Sequence, residues 1–113
     1  MSGIEELPPL TKEARDMYKM VCALMSRRES EAFHEPVDWK GMGLKDYLEI
    51  VKNPIDLGTI KKNIEDRKYQ TAEEIAQDIR LVWYNCMLYN RDGSTVRIYL
   101  IFFYFIANIM IFM

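Results

Sequence analysis

The stretch NPIDLGTIKKNIEDRKYQTAEEIAQDIRLVWYNCMLYN, residues 53–90, decides the fold. Asn53-Pro54 breaks the chain, because the residue before a proline is pushed out of the helical region. Asp56 then stands as an N-cap ahead of Leu57, Ile60 and Ile64, which share one helix face. That helix ends at Glu65-Asp66-Arg67-Lys68. Thr71-Ala72-Glu73-Glu74 is a capping box, with threonine at the cap and Glu74 reaching back to it. The helix it starts places Ile75, Ile79, Val82 and Cys86 on one stripe and runs to Tyr89 or Asn90.

Working outward, Pro8-Pro9 stops structure before Leu10, and residues 1–9 are expected to be a flexible N-terminus. Thr11 caps a first helix with Ala14, Met17, Met20, Val21 and Leu24 on one stripe, closing near Arg27-Arg28-Glu29. Residues 30–55 show no sustained helical period, although a short helix over Asp46–Val51 fits inside them. A loop this long is uncommon in a compact domain and is usually functional. On the C-terminal side Arg91-Asp92-Gly93 makes a turn, and Ser94 or Thr95 caps a fourth helix through residue 113. No strand alternation and no internal repeat is visible. The expected fold is all-α, an antiparallel four-helix bundle over residues 10–113, with the long loop between helices 1 and 2.

Composition narrows the function. The chain has 113 residues, 50% apolar and 28% charged, which suits one folded domain. A formal net charge of −2 offers no field for a phosphate backbone, so direct nucleic-acid binding is not expected. Cys22 and Cys86 are far apart and read as free thiols in a reducing compartment. Residues 1–16 are polar, with Glu5, Glu6, Lys12 and Glu13, and carry no signal pattern. No nucleophile with its base, phosphate loop or carboxylate pair stands out, so no reaction and no cofactor are assigned. His34, the one histidine, reads as a solvated loop residue, and Lys61-Lys62 as solvent-facing.

Two segments carry the functional signal. One is Pro36-Val37-Asp38 running to Asp46-Tyr47 and Asn53-Pro54-Ile55-Asp56. The other is Asn85-Cys86-Met87-Leu88-Tyr89-Asn90 with the turn after it. An amide at the mouth of an apolar pocket suits a neutral amide ligand, since it both donates and accepts. Read singly, Asn90 is also a common helix C-terminal residue, and Tyr47, Val37, Met42, Leu44 and Val96 would serve as plain core or loop anchors.

In this order and spacing the segments resemble a bromodomain over about residues 10–96. The resemblance implies an acetyl-lysine reader in the nucleus, with acetylated histone tails or other acetylated proteins as partners. It assigns Asn90 as donor to the acetyl carbonyl and Tyr47 as its partner through water. Val37, Met42 and Leu44 become the loop wall, with Tyr89 and Cys86 on the helix side. Val96 falls at the gate, and Phe33 matches the last residue of the family's Trp-Pro-Phe shelf. Acetylation removes the lysine charge, so apolar walls accept the modified side chain and reject the ammonium form.

The sequence departs from the family twice. Glu31-Ala32 stands where Trp-Pro is usual, which predicts a wider and wetter groove, with Trp39 the candidate substitute. Residues 98–113 are 16 residues with no charge and four of the five phenylalanines, where an amphipathic helix is expected. Three readings stay open for them: a membrane anchor, although a span needs about 20 residues; a helix buried against another chain; or a misread coding end. The acidic residues Glu29, Glu31, Glu35 and Asp38 would either favour basic peptides or form a plain solvated face. A bundle that no longer reads acetyl-lysine, and a domain tethered to a membrane by its tail, are the alternatives to a reader.

Overall fold

The computed structural model describes residues 7–89 of the chain. Its elements are α1 (Lys12–Met25), a 3-10 helix (Arg28–Phe33), α2 (Tyr47–Ile50), α3 (Leu57–Glu65) and α4 (Ala72–Tyr89). No strand occurs among the described residues. The fourth long helix expected over residues 95–113, the turn before it and the uncharged tail lie outside the described residues, as do residues 1–6.

The caps read from sequence form as hydrogen bonds. Thr11 Oγ1 accepts the Ala14 N–H at 3.1 Å. Asp56 accepts both the Thr59 N–H at 2.8 Å and the Thr59 hydroxyl at 2.6 Å. Thr71 and Glu74 bond reciprocally, through Glu74 N–H to Thr71 Oγ1 at 3.3 Å and Thr71 N–H to Glu74 Oε1 at 3.0 Å. Each cap satisfies N–H groups that have no partner inside the helix.

The end of α1 differs from expectation. It closes at Met25, and Arg27 is extended (φ −83°, ψ 132°), so residues 28–33 start a separate 3-10 helix. The reason is local: the Ser26 N–H reaches the Cys22 carbonyl and the Arg27 N–H that of Leu24, which completes the turn. Buried Ser30 then donates its hydroxyl to the Arg27 carbonyl at 2.8 Å and holds the new helix against the old one.

Long-range hydrogen bonds show how the helices run. Arg67 Nε donates to the Pro8 carbonyl at 2.6 Å, so the end of α3 lies beside the start of α1. The Gly58 N–H donates to the His34 carbonyl at 3.1 Å, so the start of α3 lies beside the segment after α1. Asn85 Nδ2 donates to the Asn53 carbonyl at 2.8 Å, which brings the end of α4 back to the start of α3. α3 is therefore antiparallel to both α1 and α4. The core between them is Met20, Val21 and Leu24 of α1, Leu57, Ile60 and Ile64 of α3, and Ile75, Ile79, Val82 and Trp83 of α4.

A polar latch ties α1 to α3 at the surface. The Tyr18 hydroxyl donates to Glu65, and Lys61, on the surface as expected, lies 3.2 Å from the same carboxylate. The bond to Glu65, with burial second, pushes the Tyr18 hydroxyl up to about 12. The same bond, followed by Lys61, holds the Glu65 carboxyl below its usual value. His34 also departs from expectation. It is half-buried, with Nε2 2.8 Å from Ser30 Oγ. Neither cysteine forms a disulfide.

Candidate functional site

A cleft of about 560 Å³ opens between the end of α4 and the chain from residue 31 to residue 47. That size lies within the range of roughly 300–1,000 Å³ typical of small-molecule sites. α4 contributes Val82, Asn85, Cys86 and Tyr89, at the helical spacing that shares one face. The same helix thus packs the core with its first turns and lines the cleft with its last. Phe33 forms part of the opposite wall, its ring edge-on to Trp83 at 5.4 Å between centroids.

The loop wall is Pro36, Val37, Met42 and Leu44. Two backbone turns shape it. Asp38 Oδ1 accepts the Gly41 N–H at 3.0 Å, and the Leu44 N–H returns to the Trp39 carbonyl at 2.8 Å. Gly43 between them has φ 71°, a conformation that glycine adopts without a Cβ penalty. Met42 is largely exposed and stands at the rim. Ile55 and Asp56 close the side nearest α3.

Tyr47 lies at the meeting of both walls. It is 7% exposed, and its ring meets that of Tyr89 edge-on at 5.1 Å. Burial, with Cys86 second, raises its hydroxyl above the usual tyrosine range. The Tyr89 hydroxyl donates to Asp46 Oδ1 at 2.7 Å, and that bond raises its value as well. Both phenols are therefore neutral O–H donors at neutral pH. The Tyr89 hydroxyl is committed to its hydrogen bond with Asp46. Among the described residues the Tyr47 hydroxyl has no protein partner. The cleft thus offers an uncommitted hydroxyl donor in mainly apolar surroundings.

The structure brings Phe33, Val37, Met42 and Leu44 together with Tyr47, Cys86 and Tyr89 on this one cleft. Asn90 and Val96 lie outside the described residues. Trp39 is not among the lining residues, so it does not replace the missing shelf. Its ring instead carries the Lys40 ammonium at 5.3 Å. Glu31 and Ala32 do line the cleft, which puts a carboxylate and a methyl where a large apolar wall was in question. Asn85 was not expected. Its signal is its place on the Val82, Cys86 and Tyr89 face, where a buried amide demands a partner. That partner is the Asn53 carbonyl, and the bond fixes the chain entering α3 to the cleft end of α4.

A family model described as Bromodomain matches residues 16–100. The chain belongs to the bromodomain family. Among curated proteins, this bromodomain is 40% identical over 91 residues to Bromodomain-containing factor 2 of Saccharomyces cerevisiae, covering 78% of the chain and 14% of that protein. It is 39% identical over 88 residues to Transcription factor GTE4 of Arabidopsis thaliana, covering 78% and 12%. Transcription factor GTE1 of the same plant is 38% identical over 91 residues, covering 80% and 23%. The chain therefore spans less than a quarter of the length of these relatives. Among the described residues no helix is long and apolar enough to cross a membrane, and no group of side chains is arranged to hold a metal.

Proposed function

We propose that this bromodomain is a binding module that reads acetylated lysine, on histone tails or other acetylated nuclear proteins. The observation that carries the reading is the unpartnered hydroxyl of the largely buried Tyr47 in a mainly apolar cleft. In this reading the acetyl-lysine methyl and methylenes bury against Val37, Leu44 and Cys86. Asn90, the residue after Tyr89, donates to the acetyl oxygen. Tyr47 reaches that oxygen through water, and Val96 stands at the mouth. An unmodified lysine would bring an ammonium against the same walls, and its desolvation is the basis of discrimination. One hydrogen bond contributes about 0.5–1.5 kcal/mol net, so affinity for a single acetyl-lysine is modest. The nuclear setting agrees with relatives named as transcription factors.

Calorimetry on matched acetylated and unmodified histone peptides tests the reading. Acetylation should strengthen binding, and Asn90→Ala should weaken the acetylated peptide about tenfold, the upper end of one net hydrogen bond. Equal binding of both peptide forms would make the protein a helical interaction module with no reader function.

The altered shelf supplies a second expectation. Glu31→Trp restores a large apolar surface on the cleft wall. Burying about 50 Å² more of a ligand there corresponds to about 1 kcal/mol, or about fivefold in affinity. Titration with ligands that carry an aromatic group beside the acetyl-lysine mimic should show the gain. Unchanged affinity would mean that position 31 does not touch such ligands.

A further inference from the structure

We propose that Glu31 and Glu35 make this bromodomain prefer peptides with a lysine or arginine beside the acetylated lysine. The proposal rests on the acetyl-lysine reading and names the sequence context that the cleft selects.

Four carboxylates line the cleft: Glu31, Glu35, Asp38 and Asp56. Two are committed to the fold. Asp38 accepts the Gly41 N–H and shapes the loop wall. Asp56 is buried and caps α3 through Thr59. Glu31 and Glu35 are exposed, and neither carboxylate has a hydrogen bond or an ion pair among the described residues. No lysine or arginine is among the described residues that line the cleft. Two negative charges therefore stand on one wall with no cation of the cleft to balance them.

Independently, Tyr47 points to a ligand in the same cleft: its side chain is more than nine-tenths buried, and its hydroxyl has no partner among the described residues. An acetylated lysine that fills the floor is neutral and leaves its backbone at the mouth. The residues beside it are then the part of the peptide that meets Glu31 and Glu35. At physiological salt such charges act over about 8 Å, so the preference concerns near neighbours rather than net peptide charge. Acetylating the neighbouring lysine as well removes the favoured charge. The proposal therefore expects a doubly acetylated neighbour pair to bind less well than the singly acetylated peptide.

The test is a calorimetric series on the full chain. The peptides share a central acetyl-lysine and carry Lys, Gln, acetyl-lysine or Glu on both sides, each with an unacetylated control. Lys flanks should bind about threefold tighter than Gln flanks, as expected for exposed ion pairs. They should bind on the order of tenfold tighter than Glu flanks, with the difference fading at high salt. In a Glu31→Gln, Glu35→Gln variant the affinities of the Lys and Gln peptides should converge. Glu31→Lys with Glu35→Lys should invert the order and favour Glu flanks. Flank-independent binding of the acetylated peptides, or a preference that survives the double Gln variant, overturns this proposal and leaves the reader reading intact. Absence of any acetyl dependence overturns both.

Discussion

Trp83→Ala is expected to lower the unfolding free energy by about 3–5 kcal/mol, the usual cost of emptying a large buried aromatic site. Trp83 is fully buried in the core shared by α1, α3 and α4. It also stands against Phe33, whose ring meets it edge-on at 71°. Truncation removes core volume and the contact that seats the 3-10 helix on α4. The loss compares with a total stability of about 5–15 kcal/mol for a domain of this kind. Urea unfolding should show the midpoint falling sharply. Trp83→Phe keeps an aromatic edge for Phe33 and should cost clearly less. Because Phe33 lines the cleft, ligand affinity should fall along with stability in the alanine variant. A cost under about 1 kcal/mol for Trp83→Ala would show that the site collapses without a cavity, contrary to its packing.

Gly58→Ala is expected to destabilise by about 2 kcal/mol, and its sign separates local from tertiary control. Judged as a helix position, alanine is better than glycine by nearly 1 kcal/mol. The tertiary packing says the opposite. A Cβ on Gly58 would lie 2.2 Å from the His34 carbonyl oxygen, a backbone atom with no rotamer to escape into. The same carbonyl accepts the Gly58 N–H at 3.1 Å. To admit a methyl group, the segment after the 3-10 helix must move off α3, and overpacking of this sort costs about 1–3 kcal/mol. Thermal unfolding should show a fall of several degrees per kcal/mol. The wall that moves includes Phe33, Glu35 and Pro36, so peptide binding should weaken too. A rise in melting temperature would mean that helix propensity outweighs the contact.

How much was legible beforehand follows the range of each interaction. The caps at Thr11, Asp56 and Thr71 were readable because donor and acceptor lie within a few residues. The apolar stripes on α1 and α3 were readable because helical period alone selects their buried face. On α4 the stripe through Ile75, Ile79, Val82 and Cys86 omitted Trp83 and Asn85, both buried. A helix enclosed on more than one side buries a wider arc than one stripe describes. Ser30 and His34 were illegible for another reason. Their pairing depends on the break at Arg27, which turns the following residues into a separate helix.

The sequence by itself determined α1, α3 and α4 with their caps and, through the spacing of its Pro-Val-Asp, Asp-Tyr and Tyr-Asn motifs, the family. These are properties of neighbours along the chain or of fixed intervals. Only the tertiary structure decided which side chains share the cleft and how each is engaged. Asp38 and Asp56 are consumed by the fold, whereas Glu31 and Glu35 stay open, although all four are simply acidic residues in the sequence. Tyr89 donates its hydroxyl hydrogen bond to Asp46, while the hydroxyl of Tyr47, packed beside it, has no partner among the described residues and is left for the cleft. The physical reason is that a polar group's role is set by its partners and its desolvation, and both arise only when segments far apart in sequence pack together.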